Sequence, residues 1–148
     1  MPLGLLKDPS AIGAEIRETQ DAICALAHPH FFRPFGQGGN LDDRLLNPVV
    51  VDALTAERMS CVLWNAIPGD WKEPDGWVDR ALAQLRAWTV MVLHDLPTGA
   101  MRNLERFLDA AAELGVRLRQ DFAPECVPIL DGRIVRPIAD ILSSTSAV

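Results

Sequence analysis

Apolar residues in the N-terminal part of the chain recur at helical spacing. Asp8 followed by Pro9 pairs a capping residue with the residue best suited to a first helical turn. Ile12, Ile16, Ile23 and Leu26 then form one stripe, with Glu15, Arg17, Glu18 and Asp21 between them, which predicts a helix with one buried face. His28-Pro29-His30 ends it. Phe31-Phe32 opens a short apolar strand that stops at the glycine-rich loop Arg33-Pro34-Phe35-Gly36-Gln37-Gly38-Gly39-Asn40. A second helix is expected over 47–57, followed by a compact strand at Cys61-Val62-Leu63-Trp64. The loop 65–71 leads into a third helix that starts near Asp75 and carries Trp77, Ala81, Leu82 and Leu85 inward. Trp88-Thr89-Val90-Met91-Val92-Leu93-His94-Asp95 is a β-branched apolar run ending in two residues with reactive side chains. Thr98 is expected to cap a fourth helix that buries Met101, Leu104, Phe107, Leu108 and Ala111 and stops at Gly115. Residues 116–118 read as one more short strand, 126–135 as a hairpin around Asp131-Gly132, and 143–148 as a frayed polar tail.

Helix and strand alternate four times in this order, which predicts an α/β fold with parallel strands joined by right-handed crossovers. None of the strands shows a long alternating pattern, as expected where both faces are covered. In such folds chemistry sits at the carboxyl ends of the strands. His94 is therefore the first candidate.

Composition narrows the function. The chain has 148 residues, 49% of them hydrophobic and 23% charged, which suits one globular domain. A net charge of −6 argues against a nucleic-acid partner, because phosphate binding needs a basic face. No apolar run approaches a membrane span, and the start lacks the pattern of a secretory signal, so a cytoplasmic location is expected. Cys24, Cys61 and Cys126 are odd in number and lack CxxC spacing, and read as reduced, buried thiols. His28 and His30 sit between a helix and a strand start, at the opposite end from His94, and read as loop residues. The glycines after Arg33 have no phosphate-loop pattern.

Three strand ends carry a recognisable series: Phe32-Arg33-Pro34-Phe35-Gly36, then Leu63-Trp64-Asn65 with Gly69-Asp70-Trp71 and Pro74, then Val92-Leu93-His94-Asp95. In order and spacing they resemble the third, fourth and fifth motifs of the polysaccharide deacetylase (NodB-like carbohydrate esterase) family, over about residues 9–135. The resemblance implies a partial, distorted (β/α) barrel with parallel strands and flanking helices. It implies hydrolysis of the carbon–nitrogen, non-peptide bond of N-acetylated sugars or related small amides. In intact family members a divalent metal, zinc or cobalt, polarises the acetamide and activates water. Carried over by position, His94 would be the general acid and Asp70 the carboxylate that orients it. Arg33 would hold the family's catalytic carboxylate through a charge-assisted hydrogen bond, and Trp71 and Val92 would wall the acetyl pocket.

The chain departs from the pattern in several places. Pro34 follows Arg33 directly, Ile67 stands where the fourth motif has an aspartate, and Val92 replaces a leucine. The aspartate pair of the first motif and the histidine pair of the second have no counterpart here. The expectation is a single deacetylase-like domain over 1–148, lacking its N-terminal side, with no metal ligands or other cofactor site of its own and inactive alone. The alternative is a non-catalytic binding or assembly protein built on a remnant of the fold. Unpaired strand edges and an uncovered apolar wall predict a homo-oligomer in that case.

Overall fold

The computed structural model describes residues 2–6, 8–23 and 30–144. Cys24, Leu26, His28, Pro29, Thr145 and Ser146 lie outside them. The chain divides into two compact units, Met1–Leu63 with Val127–Val148, and Trp64–Cys126. It is a mixed α/β structure with an open four-stranded sheet.

In the first unit α1 spans Pro9–Ile23. Asp8 Oδ1 accepts from the Ser10 amide at 2.9 Å, the arrangement expected of a residue ahead of a helical proline. Ile12 and Ile16 are fully buried, and α1 lies against α2, Pro48–Ala56. Asn47 starts α2 by accepting from Val50 N at 2.9 Å, and its amide donates to Leu6 O at 2.7 Å. One side chain thus caps the helix and ties it to the N-terminal segment.

Strand β1 (Phe31–Phe32) runs parallel to β2 (Ser60–Cys61), with α2 in the crossover between them. β2 pairs antiparallel with β3 (Ile129–Leu130), and β3 with β4 (Arg133–Ile134). The sheet is mixed: β1 and β2 run parallel as expected, and the terminal hairpin adds two antiparallel strands. Its turn residues Asp131 and Gly132 both have positive φ, 48° and 76°, the geometry that returns a strand antiparallel beside its neighbour. Ser143, placed by sequence in the polar tail, is buried. Its N–H donates to Leu46 O at 2.9 Å and its hydroxyl to Gly4 O at 3.2 Å.

The second unit holds α3 (Trp77–Ala83) packed against α4 (Leu104–Glu113). Its core is Trp77, Val78, Ala81, Ala100, Phe107 and Ala111, with the Trp77 and Phe107 rings 5.3 Å apart. Gly115, at φ 74°, ends α4 as expected, and Val116 N reaches back to Ala111 O at 3.0 Å. The start of α4 differs from the reading of Thr98 as a cap. A tight turn at Ala100–Asn103 precedes the helix and leaves Met101 exposed. Leu108, also expected inside, is exposed.

The run 88–95 makes one parallel bridge, Ala66 with Met91, and residues 116–118 form no strand. A β-branched run becomes a ladder only where a second backbone lies alongside it. Among the described residues the run has such a neighbour on one side only. Among the described residues no helix is long and apolar enough to cross a membrane.

Candidate functional site

The second unit brings together Asp70, Trp71 and His94. Asp70 follows Gly69, whose φ of 69° turns the loop, and its carboxylate is completely buried. Burying a carboxylate costs several kcal/mol unless hydrogen bonds replace water, and both of the replacements seen here come from one residue. Oδ2 accepts from the His94 backbone N–H at 2.9 Å, and Oδ1 lies 3.1 Å from His94 Nδ1. An ionised carboxylate only accepts, so with such an acceptor this contact is a hydrogen bond when Nδ1 carries the ring proton. The imidazole is about one-third exposed, with a side-chain accessibility of 35%. The ring is thus clamped at one nitrogen and accessible to solvent.

The loop bearing Asp70 is fixed from α3. Gln84 Oε1 accepts from Ile67 N at 2.6 Å, and its Nε2 donates to Ile67 O at 3.1 Å. One turn earlier Arg80 Nε donates to Pro68 O at 2.6 Å, and its guanidinium pairs with Glu73. Asn65 organises the strand side: Oδ1 accepts from Val90 N at 2.9 Å and Nδ2 donates to Trp88 O at 3.1 Å. The chain beyond His94 folds back closely, with Ala100 N donating to His94 O at 3.2 Å. Gly99 permits this, since a Cβ there would lie 2.9 Å from His94 O and 3.1 Å from Asp70 Oδ2.

Trp71 meets the imidazole edge to face, with ring centroids 4.7 Å apart, and Lys72 Nζ lies 5.5 Å from the Trp71 centroid. Val92 is half-buried, two residues before His94. Arg33 follows β1 in the first unit and is exposed, while every contact of the Asp70–His94 pair given above lies within the second unit. Among the described residues the Arg33 side chain makes no ion pair or hydrogen bond.

Gln84, Arg80, Asn65 and Gly99 were not identified from sequence as parts of this site. Arg80 and Gln84 are four apart on a helix and therefore share a face, but nothing in the spacing says which loop they meet. Among the described residues no group of three His, Cys, Asp or Glu side chains comes together to hold a metal ion. No protein-family model matches the chain, and no curated protein matches it either.

Proposed function

We propose that the chain is a cytoplasmic polysaccharide-deacetylase-like protein, a partial barrel of that family, whose Asp70–His94 pair forms the proton-donating side of a site for N-acetylated sugars or related small amides. The observation that carries this reading is the buried carboxylate bonded twice to a single histidine whose ring remains accessible. In its protonated form His94 holds one proton on Nδ1 toward Asp70 and a second on Nε2. As the carbon–nitrogen bond of a tetrahedral adduct breaks, its electron pair goes to nitrogen, which takes the Nε2 proton and leaves as the amine. His94 is then neutral, its remaining proton still on Nδ1. Asp70 is a positioning residue, and Trp71 supplies an apolar wall beside the ring. Because the aspartate pair and the histidine pair that supply base and metal ligands in intact family members have no counterpart in this sequence, the chain alone binds such amides without turning them over.

Titration of the isotope-labelled protein with N-acetylated chitotetraose, followed by NMR, tests this. Saturable shifts of the Trp71 indole and His94 ring signals are expected, weaker with the de-N-acetylated tetramer and lost in His94→Ala. Unchanged spectra at about 10 mM sugar, an affinity weaker than any ordinary subsite, would overturn the sugar assignment. Acetate release with added zinc or cobalt at the rate of an intact deacetylase would overturn the claim of inactivity.

A further inference from the structure

The segment 90–93 is hydrogen-bonded along one edge. Asn65 N and Ala66 N donate to Val90 O at 3.0 and 3.2 Å, and Val92 N donates to Ala66 O at 3.1 Å. In extended backbone, successive residues turn their N–H and C=O groups to opposite edges. Met91 and Leu93 therefore present theirs on the far edge, where neither makes a backbone hydrogen bond among the described residues. Met91 and Leu93 also line a cavity of about 610 Å³, together with Phe107, Val116 and Leu118. Arg117 and Leu118, which line the same cavity, likewise have no backbone partner among the described residues.

The polar lining is basic. Arg86, Arg117 and Arg119 line the cavity together with a single carboxylate, Asp121. Arg119 grips Asp121 through two bonds of 2.6 Å while stacking on the Trp88 ring at 4.8 Å. This pairing holds the Asp121 carboxyl below the usual carboxylate range. Arg86 and Arg117 are exposed, with no side-chain partner among the described residues. In a chain of net charge −6 this is a local excess of positive charge.

We propose that this cleft takes an extended strand from a partner protein, apolar at alternate positions and acidic at its ends. Its backbone pairs with Met91 and Leu93, its apolar side chains fill the space against Phe107 and Val116, and its carboxylates reach Arg86 and Arg117. Strand addition uses all three features together, because main-chain hydrogen bonds supply the affinity and side-chain pockets the selectivity. The proposal does not depend on the Asp70–His94 reading.

The test uses the full labelled chain and three synthetic heptapeptides. The first, acetyl-Glu-Val-Thr-Val-Thr-Val-Glu-amide, is compared with a lysine-ended version and with an acidic version N-methylated at alternate amides. The acidic peptide is expected to bind saturably and to slow amide hydrogen exchange of Met91 and Leu93 about tenfold or more, with little change at Val92, which is already bonded. Two exposed ion pairs give it roughly a three- to tenfold preference over the lysine-ended peptide. Exchanging both arginines, Arg86→Glu with Arg117→Glu, reverses that preference, and N-methylation on the pairing edge abolishes binding. No saturable binding of the acidic peptide at about 1 mM overturns the proposal, as does binding indifferent to N-methylation. Binding of dodecanoate with methyl shifts, in the absence of peptide binding, overturns it in favour of a lipid-like ligand. Protection of Met91 and Leu93 in peptide-free protein that disappears on dilution overturns it in favour of a second copy of the chain.

Discussion

Replacing Gly99 with alanine probes the closest packing around the His94 loop. The Gly99 φ of −104° is outside the left-handed region, so glycine is required there by space. An added Cβ would sit 2.9 Å from His94 O, 3.1 Å from Asp70 Oδ2 and 3.4 Å from His94 Cβ. The first of these is roughly half an ångström inside ordinary van der Waals contact. The oxygens crowded first are the acceptors of the Ala100 and His94 amides, at 3.2 and 2.9 Å. Relief therefore moves backbone and stretches bonds to a buried carboxylate. Overpacking of this kind costs about 1–3 kcal/mol. Trp64, Trp71, Trp77 and Trp88 all belong to the unit Trp64–Cys126, so tryptophan fluorescence follows that unit during urea unfolding. At about 1–3 kcal/mol per molar urea the midpoint falls by roughly 1 M, and the His94 ring signals shift in the folded protein. A variant with the wild-type midpoint and unchanged His94 signals would refute the close approach.

Three further outcomes are expected. Gln84→Leu removes both bonds to Ile67; it is expected to lower the stability of the second unit by about 1–3 kcal/mol in the same fluorescence assay, and wild-type stability would count against the clamp. Asn47→Ala deletes the cap of α2 and the bond to Leu6 O, which is expected to cost about 1–2 kcal/mol by amide exchange in the first unit. Burial pushes the Cys61 thiol up from 9.0 to about 12. The unfolded thiol then ionises first, so its contribution to stability is complete below pH 9.0 and disappears as pH rises toward about 12. Cys61→Ala is expected to flatten the loss of stability over that window, and native Cys61 is expected to resist alkylation at neutral pH; rapid native labelling would contradict this.

Local signals were legible where backbone chemistry is local. Asp8-Pro9 opened α1, Asn47-Pro48 opened α2, Gly115 ended α4, and Asp131-Gly132 made the hairpin, because caps and turns are set by a few adjacent residues. Strand direction and partners were not legible. A run such as 88–95 records a preference for extended backbone but carries no record of which neighbour lies beside it, and β3 joins β2 from 68 residues farther along the chain. Asp70, Trp71 and His94 were found because a motif resemblance linked two distant loops. Arg80 and Gln84 escaped because they hold the loop through the backbone atoms of Pro68 and Ile67, which leave no residue-type signature. Arg33 was placed with Asp70, Trp71 and His94 by motif order alone; it lies in the compact unit Met1–Leu63 with Val127–Val148.

The central claim is that Asp70 fixes the tautomer and orientation of an accessible His94. Nitrogen-15 NMR of the imidazole, in wild type and in Asp70→Asn, measures this directly. In the neutral wild-type ring Nδ1 is expected to carry the proton and Nε2 to be bare. In Asp70→Asn the carboxamide can accept only through its one oxygen, so the two bonds now spanning 2.9 and 3.1 Å cannot both persist, and the ring nitrogens change their signature. A wild-type ring protonated on Nε2 when neutral, or ring signals indifferent to Asp70→Asn, would contradict it.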